Sequence, residues 1–137
     1  MAQQGGDIVA RPKTTDLTGR ELAVMQVFWE RKEATADAVH QQLVHKGEDI
    51  AYVTIANAIR GLVDKGFLQQ TTSKRPYVYL AIRSFEQVSK RLVGDLVTRV
   101  FDGSREALLV HLLDRKKLSS EEREYLQEVL ARQEDEV

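Results

Sequence analysis

Apolar positions along the chain fall into helical stripes, interrupted once by a change of period. Thr18-Gly19-Arg20-Glu21 has the spacing of a capping box, in which a Thr hydroxyl and a Glu carboxylate satisfy orphan amides reciprocally. Behind it Leu22, Met25, Phe28 and Trp29 recur at helical spacing and predict one buried stripe. Ala34-Thr35 reads as a very short strand, and Thr35 also suits the N-cap of a second helix. In that helix Ala36, Val39 and Leu43 follow at steps of three and four to about Lys46, and Gly47 ends it. In a third helix Ile55, Ala58, Ile59, Leu62 and Val63 fill one face, with Lys65-Gly66 as the stop. Its opposite face holds Val53, Ala56, Asn57, Arg60 and Asp64, with Thr54 at the border. That face carries no large aliphatic beyond Val53 and is free to meet something other than the core.

The period then shortens. Phe67 to Thr71 and Tyr77 to Leu80 are two β-prone runs around the polar, cationic Thr72-Ser73-Lys74-Arg75-Pro76, which predicts a hairpin with a basic tip. Pro76 has no amide hydrogen to donate to a ladder and belongs at a strand start or edge. Helical spacing returns at Ser84, where Ser84 and Gln87 repeat the capping-box interval. Val88, Leu92, Leu96, Val97, Val100 and Phe101 make a stripe that stops at Asp102-Gly103. A further helix from Ser104 is apolar almost all round between Ala107 and Leu113. A last one opens at Ser119 with Glu122 at the capping-box position and carries Tyr125, Leu126, Val129 and Leu130.

Composition narrows the classes. The 137 residues suit one domain, or a small domain with a dimerisation appendage. The hydrophobic content of 42% against 30% charged residues permits a core and argues against disorder. No run of 18 or more apolar residues predicts a membrane span. Met1 to Thr15 is polar, so no secretory signal and a cytoplasmic location are expected. Residues 1–16 read as a mobile tail whose Arg11 and Lys13 can reach phosphate, or as an ordinary frayed terminus. The absence of cysteine removes disulfides, thiol catalysis and thiolate metal sites together. Net charge is −1, but residues 1–85 hold eleven Lys and Arg against nine Asp and Glu, net +2, whereas residues 86–137 are net −3. A cationic module followed by an acidic, Leu-rich one fits those signs.

The order helix, short strand, helix, helix, basic hairpin is that of a winged helix-turn-helix within a mainly α (α+β) chain, followed by three C-terminal helices. An α-helix fits the major groove of B-DNA, where the polar face of the third helix can bond base edges. Thr54, Asn57 and Arg60 recur every three residues on that face. Asn suits adenine, and Arg suits guanine or phosphate. Val53 and Ala56 can pack on thymine methyl groups. Lys74 and Arg75 at the hairpin tip would reach the flanking backbone, where each cation releases condensed counterions. The bland alternative is a solvated helix face beside an ordinary cationic turn.

Four stretches carry a resemblance to a known family: LTGRELAVMQVFWERKEATADAVHQQL, AYVTIANAIRGLVDKGFL, YVYLAI and FDGSREALLVHLLDRKKLSSEEREYLQEVL. From about Leu17 to Arg132 the chain resembles the BlaI/MecI/CopY penicillinase-repressor-type regulators. The second stretch matches the family's Ala-Tyr-Thr-Thr-Val opening of the recognition helix, with Val53 in place of one Thr. The last matches the Gly, Leu-rich, LS..E signature of its dimerisation region. The resemblance implies a homodimeric bacterial repressor with a DNA-binding domain over 17–83 and a dimerisation domain over 84–137, bound to palindromic double-stranded operator DNA. It places base contacts at Val53, Thr54, Ala56 and Asn57 and wing contacts at Lys74 and Arg75. It also implies derepression by proteolysis through a membrane sensor-protease, at a bond matching His111–Leu112, where relatives carry Asn-Phe. Gly61 departs from the family, standing where relatives usually carry a long polar or basic residue. The copper-responsive branch uses cysteine motifs that this chain lacks.

The dimer expectation also stands on the residues. Three short helices with apolar faces nearly all round cannot bury them within so small an appendage, and a symmetric partner would cover them. The candidate interface is Leu92, Leu96, Val100, Phe101, Leu108, Leu109, Leu112, Leu113, Leu126 and Leu130; the competing reading folds these helices back in a monomer. A second function class is a winged-helix protein-interaction adaptor without DNA contact. Enzymatic or metal chemistry has little to work with. His40 and His45 lie roughly 140° apart around their helix, His111 sits among leucines, and no nucleophile elbow, phosphate loop or HExxH appears. No catalytic residue, metal or cofactor is expected.

Overall fold

The computed structural model describes residues 16–114 and 118–135. The tail cations Arg11 and Lys13 lie outside them. Helix α1 spans Gly19–Arg31, β1 Glu33–Thr35, α2 Ala36–His45, α3 Tyr52–Asp64, β2 Leu68–Gln70, β3 Val78–Ala81, α4 Phe85–Arg99, α5 Arg105–Asp114 and α6 Ser120–Asp135. Backbone contacts divide the chain into two compact units after Ser89, inside α4.

The first unit is a winged helix-turn-helix. Its three helices pack through Val24, Met25, Val27 and Phe28 of α1, Val39 and Leu43 of α2, and Ile55, Ile59 and Leu62 of α3. Phe67, Leu68 and Ala34 extend this core to the sheet, whose strands run antiparallel in the order β1-β3-β2. Ala34 faces Tyr79 and Gln69 faces Leu80 in the register, so β3 holds both neighbours. The capping box at Thr18 forms as expected: Glu21 N–H donates to Thr18 Oγ1 at 3.0 Å and Thr18 N–H to Glu21 Oε1 at 2.9 Å. Thr35 both ends β1 and caps α2 through Ala38 N–H at 3.1 Å.

Two details differ from the sequence expectation. The buried stripe of α1 is wider than Leu22, Met25, Phe28 and Trp29: Val24 and Val27 are fully buried, while Leu22 and Trp29 are half-buried. This helix touches α2, α3, β1 and β3 together, so its covered arc exceeds one narrow stripe. The strands are also shorter than the β-prone runs. Phe67 and Tyr77 stand just outside them, although Ile82 N–H still donates to the Phe67 carbonyl at 2.9 Å.

The first turn of α4 belongs to the first unit, with Val88 in its core and Phe85 edge-on to Trp29 at 5.3 Å. Ser84 and Gln87 cap that helix reciprocally, as do Ser119 and Glu122 at α6. The second unit comprises the rest of α4 with α5 and α6. Asp102 and Gly103 take left-handed φ values of 51° and 84° where α4 ends. None of the described side chains in this unit is buried, and ten large apolar ones are exposed, among them Val100 and Leu112 at 65% and 57%.

Candidate nucleic-acid interface

Helix α3 is held from both ends. At its start the His40 ring nitrogen Nε2 lies 2.7 Å from the Ile50 carbonyl; the carbonyl can only accept, so Nε2 donates. The same ring meets Tyr52 edge-on at 5.9 Å. His40 thus fastens the turn between α2 and α3, and no His, Asp or Glu cluster able to hold a metal exists among the described residues. At its end Lys65 donates from Nζ to Glu21 Oε1 at 2.6 Å and to the Asp16 carbonyl at 2.8 Å. Glu21 is only 7% exposed, and its pairing with Lys65 compensates a charge that would otherwise be costly there. Gly66 at φ 84° then turns the chain into β2.

So anchored, α3 buries Ile55, Ile59 and Leu62 and turns its other face outward. Val53 is 62% exposed, and Asn57 and Arg60 are exposed as well. Thr54 and Ala56 are half-buried at the borders of this face. Arg60 Nη1 donates to Asn57 Oδ1 at 3.0 Å, which orients the amide and leaves its NH2 group to point elsewhere. Position 61 faces α1: a Cβ on Gly61 would come within 2.9 Å of Glu21 Oε2. Its glycine therefore leaves room for the Glu21 carboxylate, a contact that sequence reasoning missed.

The wing joins β2 to β3. Val78 N–H donates to Thr72 Oγ1 at 3.0 Å and Thr71 N–H to the Val78 carbonyl at 2.8 Å, closing the loop's base. Lys74 and Arg75 are exposed at its tip, with a cis bond between Arg75 and Pro76. The Arg75 guanidinium stands 5.6 Å from the centre of the Tyr77 ring. Burial pushes the Tyr79 phenol above its ordinary 10.0, against the opposing pull of the Arg60 and Arg75 charges. Arg60 of α3 and Arg75 of the wing therefore both lie within electrostatic reach of Tyr79.

In the second unit Leu92, Leu96, Val100, Leu109, Leu112, Leu113 and Leu130 are exposed, while Phe101, Leu108 and Leu126 are half-buried. His111 and Leu112 are both exposed, and the His111 ring lies 5.8 Å from that of Phe101.

The penicillinase repressor profile matches residues 17–132, most of the chain. The chain belongs to the penicillinase-repressor family. Members of this family are transcriptional repressors, and the protein is one of them rather than an enzyme. The transcriptional regulator BlaI of Mycobacterium tuberculosis (strain H37Rv) is 32% identical over 121 residues, which cover 87% of this chain and 86% of that protein. The methicillin resistance regulatory protein MecI of Staphylococcus aureus (strain N315) is 23% identical over 118 residues, covering 86% and 95%. Among solved structures, RosR of H. salinarum overlaps with a TM-score of 0.48 at 15% identity over 89% of this chain and 97% of that one, too loosely to bear on function. Penicillinase-repressor membership agrees with the winged helix-turn-helix built above. No helix among the described residues is long and apolar enough to cross a membrane.

Proposed function

We propose that the protein is a bacterial, cytoplasmic repressor that binds a palindromic operator as a homodimer. Residues 17–83 would form its DNA-binding part and residues 84–137 its dimerisation part. The observation that carries this reading is the two-faced α3: Ile55, Ile59 and Leu62 lock into the core, while Val53, Asn57 and Arg60 stand in solvent beside a wing tipped by Lys74 and Arg75. Laid in the major groove, Thr54 and Asn57 meet base edges, and Val53 and Ala56 meet thymine methyl groups. Arg60, Lys74 and Arg75 hold the backbone through phosphate contacts. The exposed leucines of α4, α5 and α6 support a second copy, which would take from water apolar side chains that the single chain leaves in solvent. Two-fold symmetry then sets the recognition helices roughly 34 Å apart, or a multiple of it, to match half-sites one or more turns apart.

Derepression is by cleavage within α5 at His111–Leu112 through a membrane sensor-protease, which would break the packing between copies. The first test is a mobility-shift titration across several salt concentrations, on a duplex recovered by selection of bound sites from random sequence. Lys74→Ala is expected to weaken binding to every duplex and to lower the salt slope by about one unit. An unchanged affinity and slope would remove the wing from the interface. Affinity for random duplex weaker than about 10⁻⁴ M would favour a protein-interaction adaptor instead.

A further inference from the structure

Between α3 and the wing lies a cleft of about 630 Å³, within the range of small-molecule sites. Its lining combines three chemistries. Ala56 and Val63 of α3 offer apolar surface, Tyr52, Tyr77 and Tyr79 offer aromatic faces and hydroxyls, and Arg60 and Arg75 bring two guanidinium groups. Asp37 also lines the cleft, but its Oδ2 accepts from Gln41 Nε2 at 2.8 Å. Two cations against one carboxylate leave the lining with a net charge of +1. A singly charged anion would complete it.

We propose that this cleft binds a planar aromatic carboxylate, its ring among the tyrosines and its carboxylate between Arg60 and Arg75. Several features support that ligand class. Arg60 commits one guanidinium nitrogen, Nη1, to Asn57 and keeps its remaining donors for a second acceptor. Arg75 already stacks over Tyr77, the arrangement that an incoming aromatic ring would extend. The raised Tyr79 phenol stays protonated and can donate to the anion. Because Arg60 and Arg75 are also proposed phosphate contacts, an occupied cleft would neutralise charge that DNA needs. This consequence rests on the DNA-binding reading; occupancy itself does not.

The test titrates the full-length protein with 2-naphthoate by calorimetry and by NMR of the tyrosine and Ala56 signals, without DNA. Naphthalene-2-carboxamide and inorganic phosphate serve as controls. Saturable 2-naphthoate binding is expected, at least tenfold tighter than either control, with shifts centred on Ala56, Tyr77 and Tyr79. Arg60→Gln and Arg75→Gln should each weaken it severalfold while keeping the wild-type melting temperature. Tyr77→Ala should weaken it and Tyr77→Phe should retain most of it, which separates loss of the ring from loss of the fold. Equal binding of the carboxamide, shifts scattered elsewhere, or undiminished binding by both Arg variants would overturn the site. Saturating 2-naphthoate should then lower operator affinity at least fivefold, and unchanged operator retention would overturn the competition. If no duplex binds even without ligand, the DNA-binding reading fails alone, and the titration still decides the cleft.

Discussion

At the scale of single residues, Glu21 shows how a local signal acquires a distant role. Its position three residues after Thr18 announces a capping box, and the box forms. Its burial follows from something the local pattern does not contain: Lys65, 44 positions later, arrives at 2.6 Å once α1 and α3 pack. Removing the carboxylate strands Lys65 in a site where its side chain is 16% exposed. Glu21→Ala is therefore expected to cost about 3 kcal/mol, since a half-broken buried pair leaves an uncompensated charge. Chemical denaturation would measure it, and Glu21→Ala combined with Lys65→Met should recover part of the loss. Asn57 differs in kind, because it is exposed and its substitution should leave the fold alone. On the proposed reading Asn57→Ala loses about 1–3 kcal/mol of discrimination at one base pair. Selection from random duplex would reveal that position as relaxed while the others keep their preference. His40 and the tyrosines mark the reverse case. The sequence sets His40 aside as a metal ligand without giving it another task, the fold uses it to tie down Ile50, and the tyrosine cleft has no sequence signature beyond the Tyr77, Tyr79 alternation.

At the scale of elements, legibility follows the range of the interaction that makes each one. The three capping boxes, at Thr18, Ser84 and Ser119, span three residues each and all form as read. The outward face of α3 was equally readable, because helical period alone separates Ile55, Ile59 and Leu62 from Val53, Asn57 and Arg60. Strand β1 is three residues long, too short for a period, and exists through its pairing with β3 more than forty positions away. The cationic wing and α3 become neighbours only through that sheet. The half-buried placing of Thr54 and Ala56 likewise depends on what packs beside α3, so their depth is a tertiary fact. Lys74 and Arg75 are legible as a basic tip, but the stacking of Arg75 on Tyr77 is not, since it requires the loop's folded path.

At the scale of the whole molecule, the proposed repression and its release both rest on the uncovered leucines of the second unit. With Leu109 and Leu112 about half exposed in α5, a partner copy would remove apolar surface at about 25 cal/mol per Å². Placing charge there should cost far more than it does on an ordinary surface, because a symmetric interface would bury each substituted aspartate once from either copy, doubling the desolvation cost of each substitution. Leu109→Asp with Leu112→Asp is expected to convert the proposed dimer to monomer in sedimentation experiments. It should also weaken binding to a palindrome much more than binding to a single half-site, since linked half-sites gain from effective concentration. Equal losses on both targets would place the leucines outside the interface. The proposed cleavage at His111–Leu112 would apply the same logic in the cell. Both residues are exposed in the single chain, yet in the proposed dimer Leu112 is covered, so the protease must act on transiently opened copies or on a frayed α5. A monomerising variant that leaves that bond intact, Leu96→Asp with Leu130→Asp, should then be cut faster than wild type on exposure of cells to a β-lactam, as read by immunoblot against time. A wild-type band that stays intact through full derepression would exclude proteolysis as the release step and leave operator binding to be relieved by another route.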